Sequence, residues 1–327
     1  TETGLPLSVL KIRGEHQAGI FELGMNRRGE IAELASVLCP QYAVITNIGA
    51  AHIGKLGSVQ TIAEEKKQIF SRFTSSCVGF IPENDPFADF LAQGVPGKII
   101  RYGDPAKAGV TGIMPQGIDG TRFDYEGKSV LFPLSGKYNL QNALAVIALA
   151  RECGLSAGEI RAGLESVKAI FGRSQIFRGN LTIIQDCYNA NPGSMGAAME
   201  FFNGLETGGR KIFVLGDMLE LGGASASAHR DMVSEAVKAA GVSAARGGAY
   251  LALMGPEMAA AFASQADAVP AGVTVGVFPS AADADMERAA EKIQRFAQKG
   301  DMVLLKGSRG MALERLTPLI GGGNNGV

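Results

Sequence analysis

The chain has no tryptophan, three histidines and four cysteines in 327 residues, and each shortage excludes something. Cys39, Cys77, Cys153 and Cys187 are scattered, with no C-x-x-C spacing among them. That argues against a zinc site or a disulfide framework and reads as free thiols of a reducing cytoplasm. Charge is balanced to a net −1 with no long basic block, so neither nucleic acid nor an anionic membrane is a natural partner. No apolar run approaches the ~18 residues of a membrane span, and no signal peptide opens the chain. No G-x-G-x-x-G follows a strand-like segment, which makes a dehydrogenase reading poor.

What is present suits ordinary globular cores: 46% of residues are hydrophobic and 19% charged. The length implies two domains at ~150 residues each. In the first half, Ile20–Leu23 reads as a short strand, Ile31–Leu38 as a helix and Tyr42–Asn47 as a buried strand. Thr61–Phe73 reads as a helix with Thr61 its cap and Glu64 three positions on. Cys77–Ile81 and Lys98–Tyr102 add strands, with a helix after Pro86 between them. From Val110 to Leu134 the pattern alternates around a Glu126-Gly-Lys128 turn, as antiparallel β at the rim of a parallel sheet does. Helices are expected over Leu140–Glu152 and Ala157–Val167, split by Gly154. The second half carries strands at Leu181–Ile184, Ile212–Leu215, Tyr250–Met254, Val273–Phe278 and Met302–Leu305, each followed by helix-compatible sequence. That series argues a Rossmann-like doubly wound domain, residues 173–327, after a first domain of residues 1–172. The tail Gly321–Gly326 reads as disordered.

Chemistry-bearing residues collect at the predicted carboxyl ends of strands, where open α/β sheets bind ligands. Asp186-Cys-Tyr-Asn-Ala-Asn-Pro-Gly-Ser194 follows one apolar run and Lys306-Gly-Ser-Arg309 ends another. Glu22 ends the first strand beside a glycine and suits a Mg²⁺ ligand, although a solvated or capping role is the simpler account. His52 follows the next strand, close enough in the pattern to meet Glu22. Gly49–Leu56 nearly matches G-x-x-x-x-G-K-[S/T], but Leu56 stands where the Mg²⁺-binding hydroxyl belongs, so it reads as a decoy. Lys66 and Lys67 face different directions on one helix. Exposed lysine is the default for both, and a buried one is able to form a CO₂ carbamate. Asn139 and Asn142 open a long helix, where Asn139 is a natural N-cap and both amides suit a purine edge. Arg173 is either a surface charge or a phosphate contact.

In order along the chain, these segments resemble the Mur ligases. The matching pieces are Gly4-Leu-Pro6, Glu22-Leu-Gly-Met-Asn26, Gly29-Glu-Ile31, Thr46-Asn-Ile-Gly49 with His52, and Leu56-Gly-Ser58. Further on stand Lys66 with Ile69-Phe70, Asn139-x-x-Asn142, Gly172-Arg173 and Asp186-x-Tyr-Asn-Ala-Asn-Pro192. Leu215-Gly-Asp-Met218, Glu220-Leu-Gly222 and Lys306-Gly-Ser308 complete the set. The Asp-Asn-Pro-Arg that marks diaminopimelate-adding members is absent.

The resemblance implies an α/β fold with a Mur-ligase-like central ATPase domain, mainly parallel with an antiparallel rim, followed by a Rossmann-like C-terminal domain. It implies ATP-dependent joining of D-Ala-D-Ala to UDP-N-acetylmuramoyl tripeptide through an acyl phosphate. By analogy Glu22, His52 and carbamylated Lys66 surround Mg²⁺, and Lys66, His52 and Arg173 serve catalysis. Asn139 and Asn142 meet adenine, Arg173 the phosphates and Asp186 the ribose. Thr46, Asn47, Tyr188, Asn189, Lys306 and Ser308 line substrate. The analogy also gives Lys66 the preference over Lys67 that the residues alone withhold.

The family's G-x-x-G-K-[T/S] phosphate loop is missing from the sequence, and Gly4-Leu-Pro6 matches a stretch shortly after it. The expectation is therefore a truncated chain with an incomplete central sheet, unable to ligate alone, cytoplasmic and monomeric. Two other readings compete. Folylpoly-γ-glutamate synthetases share the plan but not the Gly-Met-Asn and Asn-Ala-Asn-Pro segments. A non-catalytic binding module explains the missing loop but not a retained Glu22, His52 and Lys66. His229 follows Glu220-Leu-Gly222 at the family's spacing and has no role on sequence grounds.

Overall fold

The structure is a computed structural model and describes residues 2–49, 53–245 and 247–321. It divides into two compact units. The first comprises Thr1–Met114, Arg122–Leu131 and Lys137–Glu165, and the second Pro115–Thr121, Phe132–Gly136 and Ser166–Val327.

The first unit begins with α1 (Gly4–Val9) and α2 (Glu30–Leu38), then β1 (Tyr42–Val44), α3 (Ile53–Leu56) and α4 (Val59–Lys67). β2 (Val78–Pro82), α5 (Ala88–Ala92) and β3 (Lys98–Tyr102) complete a parallel sheet of order β1-β2-β3. Ala43, Ile45, Phe70, Phe73, Ile81 and Leu91 form the core beneath it. Phe70 and Phe73 meet edge to face with centroids 5.0 Å apart, a geometry aromatic pairs favour.

Three local expectations change here. Ile20–Leu23 joins no ladder among the described residues, and Ile20 is 93% exposed. A lone extended segment with no neighbouring backbone to bond is not a strand. The cap of α4 is Ser58, whose Oγ accepts from the Thr61 amide at 3.0 Å. Thr61 lies inside the helix and its hydroxyl meets Arg28. The helix ends at Lys67 and tightens into a 3₁₀ turn over Gln68–Phe70.

Three strands, β4 (Val110–Pro115), β5 (Thr121–Tyr125) and β6 (Lys128–Phe132), pair among themselves in the order β4-β5-β6. Glu126 (φ 48°) and Gly127 (φ 71°) join β5 to β6. Positive φ at both turn residues matches the right-handed twist of a tight hairpin. α6 (Lys137–Glu152) and α7 (Ala157–Glu165) follow. Helix α6 starts two residues before Asn139, so Asn139 sits within its first turn and is not its cap.

The second unit holds β7 (Gln175–Arg178), β8 (Thr182–Asp186), α8 (Pro192–Gly204), β9 (Lys211–Gly216) and α9 (Ser225–Ala244). It continues with β10 (Ala249–Met254), α10 (Pro256–Ala263), β11 (Val273–Phe278), α11 (Asp283–Phe296), β12 (Met302–Lys306) and α12 (Leu316–Leu319). The sheet order is β11-β10-β9-β12-β8-β7, with β7 alone antiparallel. Strands buried on both faces read as continuous apolar runs, which is why the central strands β9, β10 and β12 were visible in the sequence. The short polar edge strand β7 was not. Phe213 and Phe202 close one face of the sheet at 4.9 Å, edge to face.

Chain order explains where a site forms. From β9 the chain steps outward through β10 and β11, then returns to insert β12 between β9 and β8. The direction of winding reverses there, and the crevice at such a reversal is where doubly wound sheets bind ligands.

Candidate active site

In the first unit, the loop after β1 is held by three side chains, from β3, α4 and the loop after β2. Tyr102 donates from its hydroxyl to the carbonyls of Ile45 at 2.8 Å and Thr46 at 3.2 Å. The Ile48 amide donates to Asp85 Oδ2 at 2.8 Å. Lys66 donates from Nζ to the Asn47 carbonyl at 2.7 Å. Lys67 turns away and caps α5 through the carbonyls of Phe90 and Gln93, at 2.6 and 2.7 Å. The two adjacent lysines thus do different work. Burial pushes the Lys66 ammonium below the usual lysine range, against the opposing pull of Asp85. An amine that gives up its proton more readily is the form that reacts with CO₂.

Thr46, Asn47 and Lys66 are therefore together at the carboxyl edge of the first sheet. Glu22 is exposed in the unpaired segment. His52 lies outside the described residues, as does the Gly322–Gly326 stretch of the tail. Lys55, from the near-match to a phosphate loop, reaches Asn26 Oδ1 at 2.9 Å. Asn139 and Asn142 lie three residues apart near the start of α6 and so share a face. Among the described residues no three His, Cys, Asp or Glu side chains cluster closely enough to hold a metal ion.

In the second unit, β8 and β12 run in register so that Lys306 stands beside Asp186. Lys306 Nζ lies 3.0 Å from Asp186 Oδ2 and donates to the Asn189 carbonyl at 2.7 Å. Its side chain is 4% exposed. Asn191 then opens α8 with a capping box, its side chain accepting from Ser194 and Ser194 returning to the Asn191 amide. The Arg173 guanidinium lies over the Tyr188 ring at 4.7 Å. Gly172 (φ 68°) makes this close approach possible, since an added Cβ would sit 3.1 Å from the Tyr188 nitrogen. The structure thus brings Arg173, Asp186, Tyr188, Asn189 and Lys306 together.

Ser308 is 4% exposed and joins this edge to the loop after β9. Its amide donates to the Asp217 carbonyl at 3.1 Å, and its hydroxyl accepts from the Leu219 amide at 2.8 Å. Asp217, 2% exposed, caps α10 by accepting from the Glu257 and Met258 amides at 3.2 and 2.8 Å. His229 anchors the same loop. Its Nε2 accepts from the Met218 amide at 2.9 Å and its Nδ1 faces the Ser225 carbonyl at 2.8 Å. Those partners select the tautomer with the proton on Nδ1. Sequence reasoning gave Asp85, Tyr102 and Asp217 no role. The signal that finds Asp85 and Asp217 is the strand-end rule, because each follows a buried strand within a few residues.

Burial raises the Asp217 carboxyl above its ordinary 3.8, in spite of the two amides that favour its charged form. The folded state therefore holds a proton that the unfolded chain has released, and stability declines as pH rises from 3.8 through the raised value. Asp217→Asn is expected to remove that decline while keeping an acceptor for the α10 amides. Urea unfolding across this range checks it, and parallel pH profiles for the two proteins would refute it.

The chain belongs to the Mur ligase family. The pattern of the Mur ligase middle domain matches residues 1–150, and that of the Mur ligase glutamate ligase domain matches residues 172–309. More particularly, the chain is 43% identical over 323 residues to the UDP-N-acetylmuramoyl-tripeptide--D-alanyl-D-alanine ligase of Treponema pallidum, covering 98% of this chain and 66% of that protein. The Bacillus subtilis ligase of the same name is 31% identical, over 96% of this chain and 66% of its own length. A crystal structure of MurF from Acinetobacter baumannii superposes with a TM-score of 0.80 at 29% identity, covering 97% of this chain and 67% of that one. The chain spans about two thirds of the length of the curated relatives it matches. No helix among the described residues is long and apolar enough to cross a membrane.

Proposed function

We propose that this chain is the catalytic part of an ATP-dependent ligase that adds D-Ala-D-Ala to UDP-N-acetylmuramoyl tripeptide. The observation that carries the reading is the 43% identity over 98% of the chain to a ligase of that name. The geometry of the first unit supports it, because Lys66 stands at the carboxyl edge of its parallel sheet, where such sheets bind ligands.

In the reaction, the tripeptide's terminal carboxylate oxygen attacks the γ-phosphorus of ATP and ADP leaves. The amine nitrogen of D-Ala-D-Ala then attacks the acyl carbon, loses a proton and expels phosphate. Lys66 is proposed to act as a carbamate, formed when its neutral amine attacks CO₂ and releases a proton. Its burial against the Asn47 carbonyl fits that chemistry. Mg²⁺ supplies charge neutralisation of the phosphates when bound. The oxygen donors of Glu22 and the Lys66 carbamate, with His52, are its proposed ligands.

Asn139 and Asn142 are assigned to adenine, Arg173 to phosphate and Asp186 to ribose. Thr46, Asn47, Tyr188 and Asn189 are assigned to substrate. Lys306 and Ser308 support that edge from within. This reading places the chain in the cytoplasm, a compartment its four free cysteines suit. The test is ADP release with ATP, Mg²⁺, UDP-muramoyl tripeptide and D-Ala-D-Ala. It is run with this chain and with the chain extended to the length of its relatives. Dipeptide-dependent release supports the reading, and its absence from both rejects it.

A further inference from the structure

The ladder between β1 and β2 ends at Val44 and Phe80, with the Ile45 amide still donating to the Phe80 carbonyl at 2.9 Å. A backbone that leaves its ladder needs other partners for its polar groups. Here they are side chains. Tyr102 takes the carbonyls of residues 45 and 46, Lys66 that of residue 47, and Asp85 the amide of residue 48. Thr46 and Asn47 are exposed on this pinned backbone. A loop with its main chain fixed and its polar side chains exposed is suited to presenting them.

Asp85 also has a local task, which occupies only one of its oxygens. Oδ1 accepts from the Phe87 amide at 2.9 Å, two residues on, closing the turn that leads into α5. Oδ2 reaches back to the Ile48 amide at 2.8 Å, a contact the turn does not need. The Asp85 carbonyl accepts from the Ala88 amide at 2.9 Å, so the residue itself is held. Tyr102 acts on the same loop from β3. It is 5% exposed, and its hydroxyl is shared between two carbonyls.

We propose that Asp85 is a positioning residue for ligation: with Tyr102 it holds the loop after β1 so that Thr46 and Asn47 meet the substrate in a fixed orientation. The assignment rests on the proposed ligase reading and goes beyond it, since that reading leaves both Asp85 and Tyr102 without a role. Orientation at a reacting centre matters steeply, because a misplacement of about 1 Å lowers a rate by about 10²-fold.

The experiment is steady-state ligation by the chain extended to the length of its relatives, with ATP, Mg²⁺, UDP-muramoyl tripeptide and D-Ala-D-Ala. Asp85→Ser keeps an oxygen for the local turn and, shorter by one bond, gives up the Ile48 amide. It is expected to lower kcat about 10²-fold with KM for D-Ala-D-Ala little changed, the mark of lost orientation. Tyr102→Phe, which leaves Asp85 and its turn untouched, should lower kcat by a similar factor. The double variant should fall little further, because both side chains act on one loop. Lys67→Gln is the control for stability alone: it removes the donor to the α5 carbonyls and should lower the thermal midpoint at full kcat. Wild-type kcat in Asp85→Ser or in Tyr102→Phe, losses that multiply in the double variant, or an equal fall of kcat in Lys67→Gln would overturn the positioning role while the ligase reading stands. Absence of dipeptide-dependent turnover in wild type would overturn both.

Discussion

Lys66→Gln is expected to lower ligation by about three orders of magnitude and to leave the fold intact. The size follows from removing one preorganised charge at the phosphoryl centre, which costs 10²–10³ in comparable sites. The physical case rests on what separates two adjacent lysines. Lys67 holds the C-terminal carbonyls of α5 and lies over the Phe90 ring at 4.5 Å, so its ammonium is a structural donor. Lys66 is bonded to the Asn47 carbonyl, and burial lowers its proton affinity. That environment favours a neutral amine. With ¹³CO₂, a carbamate resonance is therefore expected in wild type and in Lys67→Gln but not in Lys66→Gln. A carbamate that survives Lys66→Gln, or vanishes in Lys67→Gln, would show that the wrong lysine carries the chemistry. Lys67→Gln should instead lose stability, because two carbonyls lose their donor.

That contrast marks the limit of what the sequence made legible. Adjacent positions on a helix point about 100° apart, so the pattern showed that the two lysines face different surroundings but not which, and only the family resemblance preferred Lys66. A physical reason for the difference needed the carbonyls of residues 47, 90 and 93, which are distant in sequence. The parallel strands of the second unit were readable for the opposite reason. Burial on both faces demands apolar residues at every position, and Ile212–Leu215 and Leu251–Leu253 supply them. Strand β7 failed because Gln175–Arg178 pairs at an edge, where none of its residues is fully buried and the pattern weakens. Ile20–Leu23 failed in the other direction. Its composition is strand-like, but a strand exists only where a neighbour offers backbone, and composition does not reveal the neighbour. Ser58 was overlooked as a cap because Thr61 has the same capping chemistry three residues later. The two hydroxyls in fact bond one another at 3.0 Å.

Lys306→Met is expected to destabilise the second unit by about 3 kcal/mol, a fall of roughly 6–12 °C in its thermal midpoint. The side chains of Lys306 and Asp186 are 4% and 18% exposed, and they face each other from register partners on adjacent strands. Removing the ammonium leaves the Asp186 charge largely desolvated without a partner and strips a donor from the Asn189 carbonyl. That unpaired charge, more than the lost attraction, sets the cost. Asp186 keeps some access to water, which holds the estimate at the low end of the range for broken buried pairs. The double variant Lys306→Met/Asp186→Asn follows from the same reasoning. With no charge left to bury, it should regain much of the midpoint, giving a coupling between the sites that additive losses do not show. Its ligation should stay lost, because the carboxylate assigned to the nucleotide ribose is gone. Additive midpoints would mean that the two side chains contribute independently. A stable and active double variant would remove Asp186 from the site altogether. Recovered stability without recovered activity would separate the two tasks of the strand-end pair: neutralising a charge within the sheet edge, and presenting that charge to a ligand.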